Sequence, residues 1–236
     1  MSPLIAPAVL GAALLLGGCA TATSPAPITS GDHAPLLPSV LFPGGAESFT
    51  AWRCTPDQAL VTADPQGPDG ELRLWSSHGA WRLAPAVVAS GARYEQGEVS
   101  FWNKGSEAVV EMPRGRLECQ AYVRRQALTR QQRPGVMFQG RGNEPGWMVH
   151  LAHDRPEATL SLDYGTREQT LPYRVTTMDN AAGRVILESG RGDTPFELRI
   201  EAGACLDDMS GEPFPARVTL TVDGEQYRGC GQGIAP

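Results

Sequence analysis

Val99-Ser100-Phe101-Trp102-Asn103-Lys104-Gly105-Ser106-Glu107-Ala108-Val109-Val110-Glu111 reads as two short strands joined by a turn. Alternation places Val99 and Phe101 on one face, toward a core, and leaves Asn103-Lys104-Gly105-Ser106 as the exposed tip between the strands. The same punctuation continues in both directions, with short β-branched and aromatic runs separated by Gly, Pro, Asp and Asn clusters. Strands are predicted over 49–54, 59–63, 71–76, 80–83, 97–102, 107–112 and 115–122. Seven or so short strands with tight turns make a small antiparallel barrel or sandwich. The tip also carries the chain's only lysine, against nineteen arginines. An ammonium is a compact point charge on a slim stem, whereas guanidinium is a broad planar fork, so one Lys among arginines suggests a site that needs the narrower shape.

Farther out, residues 124–134 form an Arg-rich connector ending at Pro134-Gly135, either a short helix or an extended linker. Beyond it, residues 135–236 read as a second small β-rich domain. Its runs fall at 136–139, 147–152, 159–163, 171–175, 184–188, 196–201 and 217–222, with hairpin turns at Asn180-Ala181-Ala182-Gly183 and Val222-Asp223-Gly224-Glu225. No long internal repeat relates the two halves, and the fold class is all-β.

The N-terminus reads as a processing segment. An apolar stretch from Leu4 to Leu16 closes in Leu16-Gly17-Gly18-Cys19, too short for the roughly 20 residues that a membrane-crossing helix needs. The ending resembles the bacterial lipoprotein signal. That resemblance implies a signal peptide over 1–18, lipidation of Cys19, and, with Ala20 following, an outer-membrane anchor facing the periplasm. Residues 19–47 are rich in Pro, Ser, Ala and Gly, and read as a flexible tether with a typical span near 30 Å. The other four cysteines, Cys54, Cys119, Cys205 and Cys230, make an even set suited to an oxidising compartment. Of three possible pairings, the sequence organisation favours Cys54 with Cys119 and Cys205 with Cys230, one inside each half. Zinc is disfavoured because no Cys-x-x-Cys spacing occurs. A net charge of -6 argues against a nucleic-acid partner and is compatible with a basic protein.

Ser90-Gly91-Ala92-Arg93-Tyr94, six residues, then Phe101-Trp102-Asn103-Lys104-Gly105, bracketed by Cys54 and Cys119, resembles the membrane-bound inhibitors of c-type lysozyme over about 75 residues. The resemblance implies a small antiparallel barrel over 48–123 and a lysozyme-binding set of Ser90, Gly91, Tyr94 and Lys104. In that family the serine and the lysine enter the lysozyme cleft and contact its catalytic carboxylates. Tyr94, Phe101 and Trp102 would brace the two loops, Gly91 and Gly105 would supply backbone shapes that a Cβ hinders, and Arg93 reads as a solvated charge. The stretch Asp64 to Gly70 is a longer loop than that compact domain leads one to expect.

In the second half, Gly142-Asn143-Glu144-Pro145-Gly146-Trp147 and Cys205-Leu206-Asp207-Asp208-Met209-Ser210-Gly211 resemble an uncharacterised family of bacterial envelope proteins. Glu144 with Asp207 and Asp208 could make an acidic ligand site, although loop bracing is favoured for such Gly/Pro-flanked residues. His150, His153 and Asp154 could suggest a metal, but at strand spacing the two histidines face opposite sides. No cofactor is implied, and no nucleophile and base have the spacing of a hydrolase. The leading expectation is a lipid-anchored lysozyme inhibitor, not an enzyme; the alternative is an envelope structural or ligand-binding lipoprotein without inhibition.

Overall fold

Alternating polarity and tight turns give two antiparallel meanders, each closed into an eight-stranded barrel. The computed structural model describes residues 37–65, 70–189 and 194–234. The signal segment, Cys19 and most of the Asp64 to Gly70 loop lie outside them. The first barrel comprises β1 (Ser48–Thr55), β2 (Gln58–Ala63), β3 (Leu72–Ser76), β4 (Gly79–Ala86), β5 (Ala92–Gln96), β6 (Val99–Lys104), β7 (Glu107–Met112) and β8 (Gly115–Gln126). It closes by pairing of β1 with β8. The second comprises β9 (Val136–Asn143), β10 (Gly146–Ala152), β11 (Glu157–Leu162), β12 (Arg167–Asp179), β13 (Arg184–Ser189), β14 (Phe196–Leu206), β15 (Pro213–Val222) and β16 (Glu225–Gly233), closed by β16 on β9. Closure removes the exposed edges that an open sheet would present.

The sequence pattern misses one strand in each barrel. Strand β5 has no β-branched residue and is half exposed along its length, so its pairing with β4 and β6 is what makes it a strand. Strand β16 is glycine-rich because it approaches β9 closely. A Cβ at Gly229 would run into the backbone of Arg141, so no side chain fits at that position of the closing strand.

Val99 and Phe101 point into the first barrel, where they pack with Trp52, Leu60, Leu74, Leu83, Val110 and Leu117. The Cys54–Cys119 disulfide ties the closing strands β1 and β8 directly across the ladder, and Cys205–Cys230 ties β14 to β16 across β15. Strands β2 and β3 are buried on both faces. Their outward-facing Val61, Ala63 and Trp75, with Phe49 of β1, join one apolar cluster with the core of the second barrel.

That cluster also takes in Leu37, Leu41 and Phe42, which corrects the expectation of a tether through residue 47. From Leu37 onward the segment is packed, with a 3-10 turn at Ser39–Leu41. Its carbonyls are held by the first barrel: Trp75 Nε1 donates to Val40 at 2.9 Å, and Arg73 Nη1 donates to Phe42 at 2.8 Å and Ser39 at 3.1 Å. Apolar Leu37, Leu41 and Phe42 supply the burial that a Pro/Gly count obscures.

The connector 124–134 is likewise corrected at its start, because Arg124, Arg125 and Gln126 continue β8. Arg125 reaches the second barrel. Its Nε donates to the Pro213 carbonyl at 2.9 Å, its Nη2 donates to Gln232 Oε1 at 2.8 Å, and its guanidinium lies 4.0 Å from the Phe214 ring centroid. Burial pulls its pKa down to about 10, still high enough to keep it charged at neutral pH.

Leu41 is fully buried in the shared cluster. Leu41→Ala is therefore expected to cost about 2–5 kcal/mol, read as a lower urea midpoint with unchanged slope.

Candidate functional site

The β5–β6 ladder pairs Ala92 with Asn103 and Arg93 with Trp102, so the residues just before β5 must lie beside the end of β6. Two contacts fix them there. Trp102 Nε1 donates to the Ser90 carbonyl at 2.9 Å. Gly91 adopts φ +75°, and a Cβ there would strike the Asn103 carbonyl oxygen and sit 2.8 Å from Lys104 Cγ. Glycine is required at 91 both by this backbone conformation and by the lack of space. Ser90 and Lys104 are thereby brought to one corner of the barrel, both exposed.

The Lys104 ammonium lies 4.7 Å from the Trp102 ring centroid, and among the described residues no carboxylate forms an ion pair with it. Arg93, in contrast, is paired, at 2.5 Å to Glu95 and 3.8 Å to Glu111. Tyr94 is half buried against the barrel core, and its hydroxyl pKa is raised, first by burial and then by the charge of Asp64. A groove of about 470 Å³ opens beside Lys104 across the outer wall toward Arg53, past Glu107 and Gln120. The corner offers one hydroxyl and one unpaired cation, a set suited to meeting carboxylates.

Residues 52–118 match the family described as membrane-bound lysozyme-inhibitor of c-type lysozyme. The match runs from β1 to β8 and contains Ser90, Gly91, Tyr94 and Lys104. No curated protein matches the chain. On the first barrel the sequence pattern left an exposed apolar residue on the Ser90 loop unmarked. Val87, on the loop leading to Ser90, is fully solvent-exposed; the run Ala86-Val87-Val88-Ala89 just before the Ser-Gly pair was the signal that could have found it.

The motifs of the second barrel brace one another. Asp207 Oδ1 accepts from the Met209 amide at 3.2 Å, the Ser210 amide at 2.8 Å and the Ser210 hydroxyl at 2.9 Å. Arg141 Nη2 donates to Glu212 Oε2, and Asn143 Nδ2 to Asp208 Oδ1, each at 2.5 Å. Trp147 Nε1 donates to the Arg228 carbonyl at 3.1 Å. Glu144 is exposed and takes no part, so the acidic residues pin a loop instead of converging on a ligand. The histidines also separate: His150 bonds Gln139 at 3.2 Å, whereas His153 meets Arg130 at 3.1 Å. Among the described residues no cluster of His, Cys, Asp or Glu could hold a metal ion.

Burial alone would raise the Asp207 carboxyl. Hydrogen bonds from the Ser210 amide and hydroxyl, with the Arg141 charge, outweigh it and hold the group below the usual carboxylate range. A depressed carboxyl stabilises the fold fully above its unfolded value of about 3.9 and loses that contribution as pH falls through the folded value. Asp207→Asn is therefore expected to be less stable than the parent near neutral pH, with the gap closing below about pH 4, as measured by urea unfolding across pH.

Proposed function

We propose that the protein inhibits c-type lysozyme by placing the Ser90 hydroxyl and the Lys104 ammonium in the enzyme's catalytic cleft. The observation that carries this reading is the joining of Ser90-Gly91 to Lys104 at one corner of a barrel whose residues 52–118 match the inhibitor family. Lysozyme cleaves glycosidic bonds with one protonated and one ionised carboxyl group flanking the bond. A hydroxyl can hydrogen-bond the first and an ammonium can pair with the second, so the corner would occupy the position of the substrate. The barrel supplies shape and charge, and the reading is of an inhibitor, not an enzyme.

The same proposal gives residues 1–18 as the export signal and Cys19 as the lipidated anchor. It places the barrels at the envelope, with the outer membrane, periplasmic side, as the expected location. Tyr94 acts from below by fixing the strand that carries the Ser90 loop.

The test is lysozyme inhibition by the full chain. A neutral hydrogen bond contributes about 0.5–1.5 kcal/mol and one to a charged group roughly 1.5–3 kcal/mol, so Ser90→Ala is expected to raise the inhibition constant about 2- to 10-fold and Lys104→Ala about 10- to 100-fold. Lys104→Arg keeps the charge but widens the head, and weakened inhibition is expected there too. Because both side chains are exposed, all three variants should keep the parent's thermal unfolding temperature. Undiminished lysozyme activity at micromolar protein, or variants that inhibit like the parent, would sink the reading.

A further inference from the structure

Beyond the Ser90–Lys104 corner, the first barrel leads directly to the second along one row of paired residues. Lys104 is paired with Glu107, Glu107 with Gln120, and Gln120 with Arg53. At about 4.8 Å between neighbouring strands, three steps carry the row about 14 Å from Lys104. Arg53 there lies 3.4 Å from the centroid of the Tyr122 ring. The β1–β8 register shifts at this point and leaves Tyr122 without a partner, the arrangement of a β-bulge, which re-aims a side chain. The second barrel also meets this ring: a Cβ at Gly211 would sit 2.8 Å from Tyr122 Cε1. Two residues before Gly211 is Met209.

Met209 is a large apolar side chain left 75% exposed, and Tyr122 beside its loop is 47% exposed. The exposure does not come from a loose loop. The Asp207 carboxylate holds the Met209 and Ser210 amides, the Gly211 amide donates to the Asp207 carbonyl at 2.7 Å, and the Asp207 amide donates to Glu212 at 2.9 Å. A rigidly presented methionine loses little backbone entropy on binding, and Met and Tyr are enriched at protein interfaces. A protein partner of standard size covers about 800 Å² on each side, a disc of radius about 16 Å. The Lys104 turn also adjoins Tyr122 directly, because the Ala121 amide donates to the Ser106 carbonyl at 2.8 Å and Gly105 and Tyr122 line one pocket, so a footprint centred on Lys104 takes in Tyr122, which the Asp207–Gly211 loop flanks.

We propose that the Asp207–Gly211 loop of the second barrel, with Met209 at its tip, is a second contact surface for the same lysozyme, engaged when the Ser90–Lys104 corner enters the cleft. This rests on the inhibitor reading above and adds to it a role for the second barrel. The corner fills the catalytic cleft, and Met209 with Tyr122 buries apolar surface against the enzyme's shoulder.

The experiment measures the inhibition constant of the full chain carrying Met209→Ala, Met209→Glu or Met209→Leu. Loss of an apolar interface contact predicts about a 5- to 10-fold weakening for Met209→Ala, a larger loss for Met209→Glu, and near-parental inhibition for Met209→Leu. With saturating c-type lysozyme, oxidation of Met209 by dilute peroxide should slow at least several-fold. Lys104→Ala is run alongside. If it weakens inhibition while Met209→Ala and Met209→Glu stay within twofold of the parent and oxidation is unslowed, the second contact is overturned and the inhibitor reading stands. If Lys104→Ala has no effect, the inhibitor reading itself fails, whatever the Met209 variants do.

Discussion

Phe49, Val61, Ala63 and Trp75 stand on the outside of the first barrel, and the burial of that wall constrains everything around it. A barrel normally keeps its apolar residues inside; here β2 and β3 are apolar on both faces. Burying one such side chain stabilises by about 1.5–3 kcal/mol. The wall as a whole is thus comparable with the entire stability of a domain, about 5–15 kcal/mol. The Leu37–Phe42 segment and the second barrel cover it, and Arg125 fastens the cover by bridging Phe49, Phe214 and Gln232. The two barrels are therefore one packed unit, and the neighbour of the Ser90–Lys104 corner is fixed.

Arginine and lysine divide the work within this unit. Arg73 bonds two backbone carbonyls, Arg53 stacks on Tyr122, and Arg141 grips Glu212 while facing Phe214. Each uses the flat, many-donor guanidinium to tie elements together. Lys104 does none of this: its ammonium rests over Trp102 with its charge unspent. The compositional oddity of one lysine among twenty basic residues has a structural counterpart, since the lysine is at an exposed tip where the arginines are mostly engaged in internal contacts.

Both barrels were legible as β-rich from alternation, and Val99 and Phe101 were readable as core because period two holds cleanly there. The missing strands fail for opposite reasons. In β5 the polar residues outnumber the apolar ones, so pairing alone defines it, whereas in β16 close approach to β9 puts glycine at positions 229 and 231 and breaks the apolar alternation. The shared barrel topology left no repeat in the sequence, because closure is a property of backbone pairing that different side chains satisfy equally. The apolar run Val40-Leu41-Phe42 and the unbroken burial of β2 and β3 mark the interface, but single-strand periodicity does not say which neighbour covers a second face. At the site, the return of the chain was enough to bring Ser90 near Lys104. The Trp102–Ser90 bond and the exposed Met209 depend on three-dimensional placement.

The corner is also preset, and this bears on selectivity. Gly91 allows the loop to lie on β6, and Trp102 holds it there, so little loop entropy remains to be lost when a partner binds. An ammonium is more strongly hydrated than a guanidinium, so entering a narrow cleft strips Lys104 of water at substantial cost unless carboxylates replace that hydration. A cleft without closely set acidic groups offers no such replacement. The rigid loop thus lowers the entropic cost of binding for any partner that fits, whereas the desolvation of Lys104 restricts the fit to clefts bearing ionised carboxylates. A broad arginine fork, less costly to dehydrate, would relax that discrimination while fitting the narrow space less well.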